Sequence, residues 1–202
     1  MIQAISKDAP LVLASASARR KQLLRQMGIP FRPLTSRVRE DRLSSDLRRN
    51  ARLLAEAKAH AVLQKSPGTW ILGADTMVVL GRAVLGKPGN EREAFSMLRQ
   101  LSGKEHRVIT GFCLLTPEAK TAHSEAVVTR VTFKVLTRQE ILGYIATGEP
   151  FGKAGSYAIQ GIGAFLVQGI TGSYSNVVGL PLCALVKALL ATGAITSFPI
   201  SS

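Results

Sequence analysis

Cysteine and histidine are scarce in this sequence, which has two cysteines and three histidines among its 202 residues. No Cys-x-x-Cys pair occurs and the histidines do not stand at metal-ligand spacing, which excludes a zinc framework. Cys113 and Cys183 both have apolar neighbours along the chain. We therefore expect two reduced thiols in a protein core, and a location in the cytoplasm.

Long hydrophobic runs are also missing. Apolar segments such as residues 11–14 and 71–72 are far too short to span a bilayer, and the first residues include a lysine and no long apolar stretch. We expect neither a membrane partner nor a signal peptide. The phosphate-binding pattern GxxxxGK[ST] and the nucleophile pattern GxSxG are absent, which excludes a P-loop and an α/β-hydrolase serine site.

Acidic residues are few: 13 stand against 26 lysines and arginines, giving a formal net charge of +13. Such a charge attracts an anionic partner, and nucleic acid, a membrane surface and nucleotide polyphosphates all qualify. The densest basic stretch, residues 37–52, is best explained as a solvated helix face and loop. It contains no aromatic residues to stack bases, so a nucleic-acid-binding regulator is an alternative supported by charge alone, and no specific nucleic-acid partner is expected.

What is present indicates one folded domain over residues 1–202. Hydrophobic residues make up 46% of the chain, enough for a full core. Strand-like and helix-like segments alternate, which predicts an α/β or mixed α+β fold, either one compact domain or one domain folded as two lobes around a cleft. We predict strands at residues 11–14, 69–80, 83–85, 129–135 and 157–167, and helices at 18–27 and 45–64 and after Asn90, Thr137 and Pro181.

The segment from Ser15 to Arg20 joins the end of the first predicted strand to the first turn of a helix. The first amides of a helix lack internal partners and carry the positive end of its dipole, so they attract anions. The hydroxyls of Ser15 and Ser17 and the guanidiniums of Arg19 and Arg20 would complete a phosphate site. An ordinary serine cap beside a solvated arginine pair explains the pattern equally well.

Two charged residues fall where core residues are expected. Asp75 interrupts an otherwise apolar strand, and an ionised carboxylate there is costly unless it is paired or binds a metal. The alternative is a carboxylate on a solvated face or held by a nearby arginine. Lys58 falls on the inward stripe of its helix, four residues after Leu54, so it either snorkels to the edge or reaches into a cleft.

Three further candidates are weak individually. Lys87 and Lys153 lie in glycine-flanked loops, where an ammonium and backbone amides could meet a phosphate. Glu40 is one of the few carboxylates, and locally it is best explained as a partner for the surrounding arginines.

Taken in order, these pieces resemble the Maf family over nearly the whole chain. The resemblance begins at Leu-Val-Leu-Ala-Ser-Ala-Ser-Ala-Arg-Arg (11–20) and ends at Gly-Ser-Tyr-Ser-Asn-Val-Val-Gly-Leu-Pro-Leu (172–182). Between them lie Leu-Ala-Glu-Ala-Lys-Ala (54–59), Gly-Ala-Asp-Thr (73–76), Leu-Gly-Lys-Pro (85–88), Leu-Ser-Gly (101–103), Thr-Gly (110–111), Gly-Glu-Pro (148–150), Lys-Ala-Gly-Ser-Tyr (153–157) and Ile-Gln-Gly (159–161). Each motif is common alone, but so many in register are specific.

The resemblance implies a fold like that of inosine-triphosphate pyrophosphatases, with a central mixed sheet and a cleft between two lobes. It also implies metal-dependent hydrolysis of a nucleoside triphosphate to the monophosphate and pyrophosphate, with Asp75 as the catalytic residue. We predict a Mg²⁺ or Mn²⁺ ion on Asp75 and Glu40. A homodimer is the default expectation for such an enzyme. The residues predicted to hold the triphosphate are Ser15, Ser17, Arg19, Arg20, Lys58, Lys87 and Lys153.

Three positions separate substrate classes within the family. At these positions the sequence has Arg19, Thr76 and Gln160, and it thereby resembles the branch that acts on dTTP and UTP. A sister branch acts on 7-methyl-GTP. A carboxamide both donates and accepts, so Gln160 can pair with the imide edge of uracil or thymine. The sequence departs from the family pattern at four positions where acidic residues are usual: Arg37, Arg39, Arg107 and Gly152.

Overall fold

A computed structural model describes residues 4–36, 38 and 44–200 of the chain. Within them the order of elements alternates between strands and helices. The seven strands are β1 (Leu11–Leu13), β2 (Phe31–Pro33), β3 (Ile71–Leu80), β4 (Ala83–Leu85), β5 (Glu105–Leu115), β6 (Thr121–Phe133) and β7 (Val167–Thr171). The six α-helices are α1 (Ala18–Gln26), α2 (Leu47–His60), α3 (Glu91–Leu101), α4 (Arg138–Ala146), α5 (Tyr174–Val178) and α6 (Leu182–Ala191).

The strands form one mixed sheet in the order β2-β1-β3-β5-β6-β7, and β4 pairs with β3 outside this path. Strand β1 runs parallel to both β2 and β3, while the β3–β4 and β6–β7 pairs are antiparallel. The predicted mixed α/β class, with a central mixed sheet and flanking helices, is confirmed. None of the described helices combines the length and the apolar character needed to cross a bilayer.

The chain divides into two compact units, each built from separate segments. The first unit contains residues 1–75, 110–127 and 179–202, and the second contains residues 76–109 and 128–178. That residues 1–202 act as a single domain stays a prediction.

In the first unit, α2 approaches two strands so closely that only glycine fits between them. A Cβ at Gly73 of β3 would lie 2.0 Å from the carbonyl oxygen of Ala55, and one at Gly111 of β5 would lie 2.2 Å from that of Ala51. The residues buried around this contact form one apolar cluster: Val12, Ala14, Ala55, Ala59, Val62, Ile71, Cys113 and Leu115. The glycines therefore set how near α2 lies to the sheet.

The second unit has its own core, in which α3 and α4 pack with the strand residues of that unit. Helix α4 begins with a full capping box between Thr137 and Glu140, as predicted. His106 is buried there: its Nε2 lies 2.8 Å from the hydroxyl of Tyr157, and its ring meets Phe133 and Tyr157 edge to face. No described residue hydrogen-bonds to its Nδ1. Burial lowers the pKa of His106 to about 4.

Two expectations are corrected. Residues 157–167 do not form a strand: a 3₁₀ turn covers Ile162–Leu166, and only the following residues pair with β6. The two cysteines are free thiols, but only Cys113 is buried. Burial and the nearby Glu56 charge raise the pKa of the Cys113 thiol to about 12, although a hydrogen bond with Thr121 acts to lower it. Cys183 is exposed because the buried face of α6 is formed by Leu185, Ala188 and Leu189 instead.

Candidate active site

Asp75 and Lys58 form a buried ion pair in the first unit. The Lys58 ammonium donates a hydrogen bond to Oδ1 of Asp75 at 2.6 Å, and the two residues are 7% and 5% exposed. A charge removed from water in this way requires an opposite charge, and here each residue supplies it for the other. The sequence left open whether Lys58 snorkels to the edge or reaches inward, and the structure shows that it reaches inward. The partner of Asp75 is this lysine rather than an arginine.

The pair is placed by the close contact between α2 and β3. Gly73 precedes Asp75 by two residues, so both residues point to the same face of the sheet. A Cβ at Gly73 would lie 2.8 Å from the amide nitrogen of Ala59, the residue after Lys58. Because no side chain separates the helix from the strand at this point, the lysine of the helix reaches the carboxylate of the strand.

The two carboxylate oxygens of Asp75 differ in their partners among the described residues. Lys58 occupies Oδ1, and across residues 4–36, 38 and 44–200 no donor contacts Oδ2. A carboxylate can accept several hydrogen bonds or bind a cation, so Oδ2 retains the capacity to bind water or a metal ion.

The turn between β1 and α1 is organised by side chains. The Ser15 hydroxyl accepts from the Ser17 amide at 3.2 Å and from Nη1 of Arg20 at 3.1 Å, and Ser17 caps the helix by accepting from the Arg20 amide at 3.4 Å. Nε of the buried Arg20 donates to the carbonyl oxygen of Gly179 at 2.8 Å. Two of the Arg20 donors are thus used within the protein, and this residue holds the turn against the segment that begins at Gly179.

This turn and Asp75 lie at the same end of a parallel strand pair. Leu13 of β1 is opposite Leu72 of β3, and the amide of Ala14 donates to the carbonyl oxygen of Leu72 at 2.8 Å. Ser15 follows Leu13 by two residues and Asp75 follows Leu72 by three. Strand β1 ends here, so the hydroxyls and the helix N-terminus follow its carboxyl end, whereas β3 continues to Leu80 and Asp75 lies just beyond the stretch of β3 that pairs with β1. Ligands in open α/β sheets bind outside the carboxyl ends of parallel strands, which makes this part of the first unit the candidate site.

Four further predicted residues belong to the second unit. Thr76 follows Asp75 in β3 and is partly buried, and Lys87 is exposed between β4 and α3. The ammonium of Lys153 donates to the backbone carbonyl oxygens of Glu149 and Phe151. Gln160 is partly exposed, and no described residue hydrogen-bonds to its side-chain amide.

Glu149 is a hydrogen-bonding centre of the second unit that reasoning from the sequence did not single out. Its carboxylate accepts from the Tyr144 hydroxyl and from the amides of Ile162 and Gly163, at 2.8, 3.0 and 2.8 Å. Burial acts to raise the pKa of Glu149, but these bonds and the Lys153 charge outweigh it and hold that pKa below its usual value. The only signal for it was its place in the Gly-Glu-Pro motif at 148–150.

Glu40, the predicted second metal ligand, lies outside the described residues, as do Arg37, Arg39 and Arg42. Among the residues that are described, no group of three or more His, Cys, Asp or Glu side chains could hold a metal ion. Arg107, one of the positions that depart from the family pattern, donates a hydrogen bond to the carbonyl oxygen of Gly81 at 2.9 Å.

Comparison with known proteins places the chain in a family. Residues 10–192 match the family model described as Maf-like protein. The chain is 50% identical over 196 residues to a dTTP/UTP pyrophosphatase of Geotalea uraniireducens, covering 96% of this chain and 100% of the relative. It is 48% identical to a dTTP/UTP pyrophosphatase of Citrifermentans bemidjiense, covering 94% and 98%.

Among solved structures, a nucleoside-triphosphatase (dITP/XTP pyrophosphatase) of Mycobacterium abscessus shares 14% identity at a TM-score of 0.38, covering 61% of this chain and 74% of that one. That similarity is too low to bear on fold or function. The family match spans almost the entire chain, and full-length relatives agree with it. The chain belongs to the Maf-like protein family.

Proposed function

We propose that this protein hydrolyses nucleoside triphosphates, with dTTP and UTP as substrates, to the monophosphate and pyrophosphate. The observation that carries the proposal is the buried Asp75–Lys58 pair, in which Asp75 follows the stretch of β3 that pairs with β1, while the Ser15–Arg20 turn follows β1 itself. Relatives that match nearly the whole chain are named dTTP/UTP pyrophosphatases, which supports the choice of substrate.

The phosphate chain is bound first by the turn between β1 and α1. The amide of Ala18 and the hydroxyl of Ser17 are donors, Arg19 adds a positive charge, and Arg20 keeps Ser15 in place. Donors directed at a polyphosphate stabilise the negative charge that develops on the departing pyrophosphate.

Asp75 then acts on the attacking water. The water oxygen attacks the α-phosphorus, the bond from that phosphorus to the α–β bridging oxygen breaks, and pyrophosphate leaves with the bridging oxygen. Oδ2 of Asp75 orients the water and takes its proton, while Lys58 holds Oδ1 and keeps the carboxylate in one orientation.

A divalent cation fits the donors of this site. Mg²⁺ commonly binds through one or two carboxylates together with substrate phosphates, and Oδ2 of Asp75 is a hard oxygen donor without a protein partner among the described residues. Asp75 would hold the ion, and Glu40 is proposed as the second ligand. When bound, Mg²⁺ or Mn²⁺ neutralises phosphate charge and makes water more acidic.

The base is read by Gln160, whose amide can donate to a carbonyl oxygen and accept from the imide N–H of uracil or thymine. The roles proposed for Thr76, Lys87 and Lys153 near the nucleotide rest on the family resemblance. A cytoplasmic location and a homodimer likewise stay predictions.

Product analysis tests the reaction. The protein is incubated with UTP or dTTP and Mg²⁺, and the products are separated by anion-exchange chromatography. We expect the monophosphate and pyrophosphate, and about 10²-fold or more slower turnover by Asp75→Asn. Release of diphosphate and inorganic phosphate would place the cleavage at the wrong bond, and unchanged turnover by Asp75→Asn would remove this residue from the chemistry.

Substrate choice is tested separately. Gln160→Glu replaces a group that donates and accepts with one that only accepts, which suits a cationic methylated guanine better than an imide. We expect the preference for dTTP and UTP over 7-methyl-GTP to decrease in this variant. An unchanged preference would show that Gln160 does not read the base.

A further inference from the structure

Glu149 connects the end of α4 to the glycine-rich segment that contains Gln160. One oxygen, Oε1, accepts from the Tyr144 hydroxyl and the Gly163 amide, and Oε2 accepts from the Ile162 amide. All of these residues belong to the second unit. A single side chain therefore satisfies two consecutive backbone amides of a segment outside the sheet, where no strand ladder can do so.

The same network holds the other end of this segment. The Tyr144 hydroxyl accepts from the amide of Ala158 at 3.1 Å, and Tyr144 itself is 2% exposed on α4. Residues 158–163 are thus attached at Ala158 through Tyr144 and at Ile162 and Gly163 through Glu149. Gln160 lies between the two attachment points.

The carboxylate also lies directly against the residue that follows Gln160. A Cβ at Gly161 would be 2.0 Å from Oε2 of Glu149 and 2.7 Å from its carboxyl carbon. No other residue fits at position 161 while Glu149 keeps its three bonds. The backbone on the C-terminal side of Gln160 is therefore set by the position of this carboxylate.

The charge of Glu149 matters to this arrangement. A carboxylate has only acceptors, and every partner here is a donor, so the ionised form meets all of them. The hydrogen bonds hold the pKa of Glu149 below its usual value despite the opposing effect of burial. At neutral pH the group is therefore the anion that this geometry requires.

We infer that Glu149 is a positioning residue for base recognition: by holding residues 158–163 it sets the direction of the Gln160 amide and so the selectivity for uracil and thymine. The inference rests on the proposed function. Glu149 itself touches neither the phosphates nor the reacting water in this account, so its loss acts on discrimination between bases rather than on the chemical step.

The test compares UTP with CTP, which share sugar and phosphates and differ only at the base edge that Gln160 would read. The quantity measured is the ratio of kcat/KM for UTP to kcat/KM for CTP. In Glu149→Gln an amide NH₂ replaces one acceptor and faces a backbone N–H, so the segment shifts. We expect the ratio to fall about tenfold or more, because small displacements of positioning groups have effects of this size.

Two further variants control the result. Glu140→Gln makes the same chemical change as Glu149→Gln at a position on α4. The Glu140 carboxylate is bonded to Lys134 and to the amide of Thr137, and none of its hydrogen bonds goes to residues 158–163. It should lower Tm and leave the ratio unchanged. Tyr144→Phe removes the hydroxyl that joins Ala158 to Glu149 and should lower the ratio as Glu149→Gln does, which decides the matter if Glu149→Gln does not fold.

The outcomes separate the inference from the proposed function. If the wild type hydrolyses neither nucleotide, the proposed function fails and the inference fails with it. If the wild type prefers UTP but Glu149→Gln and Tyr144→Phe lower both kcat/KM values in equal proportion, Glu149 is only structural and the inference alone is overturned. Faster amide hydrogen exchange at residues 158–163 in Glu149→Gln, together with a reduced ratio, supports it.

Discussion

Gly73 and Lys58 are linked through one close contact: β3 lacks a side chain where α2 crosses it, and the lysine of that helix turn ends 2.6 Å from the carboxylate two residues beyond the glycine. The geometry of the Asp75–Lys58 pair therefore depends on the distance between a helix and a strand.

Removing the lysine should be costly. Lys58→Met leaves Asp75 buried without its partner, and breaking a buried pair in this way typically costs about 3–5 kcal/mol. We expect a loss of that size in the free energy of unfolding, measured by urea titration. Lys65→Met, at an exposed position, should change it by less than about 0.5 kcal/mol.

The double variant Lys58→Met/Asp75→Asn distinguishes charge from packing. With the carboxylate neutralised, part of the lost stability should return, so the double variant should be more stable than Lys58→Met. If the two changes are instead additive, the charge pairing contributes little to stability.

Adding one methyl group at Gly73 should separate helix from strand. The new Cβ would meet backbone atoms of Ala55 and Ala59, which cannot move independently of α2. We expect Gly73→Ala to cost about 3 kcal/mol, at the upper end for overpacking, and to slow turnover because Lys58 is displaced. Gly143→Ala is the control: nothing lies within 4 Å of its Cβ, and it should add about 0.5–1 kcal/mol to stability in α4.

The stability of the protein should fall in acid because of His106. Burial lowers its pKa from 6.5 to about 4, so the unfolded chain takes up a proton at a pH where the folded chain does not. The folded state is therefore favoured fully above pH 6.5, and about 3 kcal/mol of this preference is lost as the pH falls towards 4.

His106→Gln removes this titration and leaves a group that can still meet the Tyr157 hydroxyl. Urea titrations at pH 7 and pH 4.5 should show a smaller loss of stability in the variant than in the wild type. Parallel losses in the two proteins would mean that His106 does not account for the acid sensitivity.

Local signals predicted much of the fold. Capping residues located the starts of α1, α3 and α4, and a glycine turn located the β3–β4 hairpin. Strand β5 was missed because most of it is buried on both faces, so its residues do not alternate between apolar and polar. Residues 157–167 have a strand-like sequence, but the amides of Ile162 and Gly163 bond to the Glu149 carboxylate instead of to a neighbouring strand, and sequence pattern does not reveal that partner.

The candidate site was predictable residue by residue but not in its pairing. Helical spacing placed Lys58 on the inward stripe, and an apolar run marked Asp75 as unusual. That the two meet depends on the register between α2 and β3, which Gly73 allows and which no local pattern encodes. Arg20 was predicted to bind phosphate. The structure shows in addition that it hydrogen-bonds to the carbonyl oxygen of Gly179, which is far away in the chain.

The segmented course of the chain determines the order in which the units can be completed during synthesis. The polypeptide passes from one unit to the other four times, at residues 75, 109, 127 and 178. The second unit has all its residues once Val178 has emerged from the ribosome. The first unit, although it contains the earliest residues, must wait for residues 179–202, whose Ala194 bonds to Ile5 and whose Gly179 receives Arg20. The packing around Arg20 can thus be completed only after the second unit has all its residues.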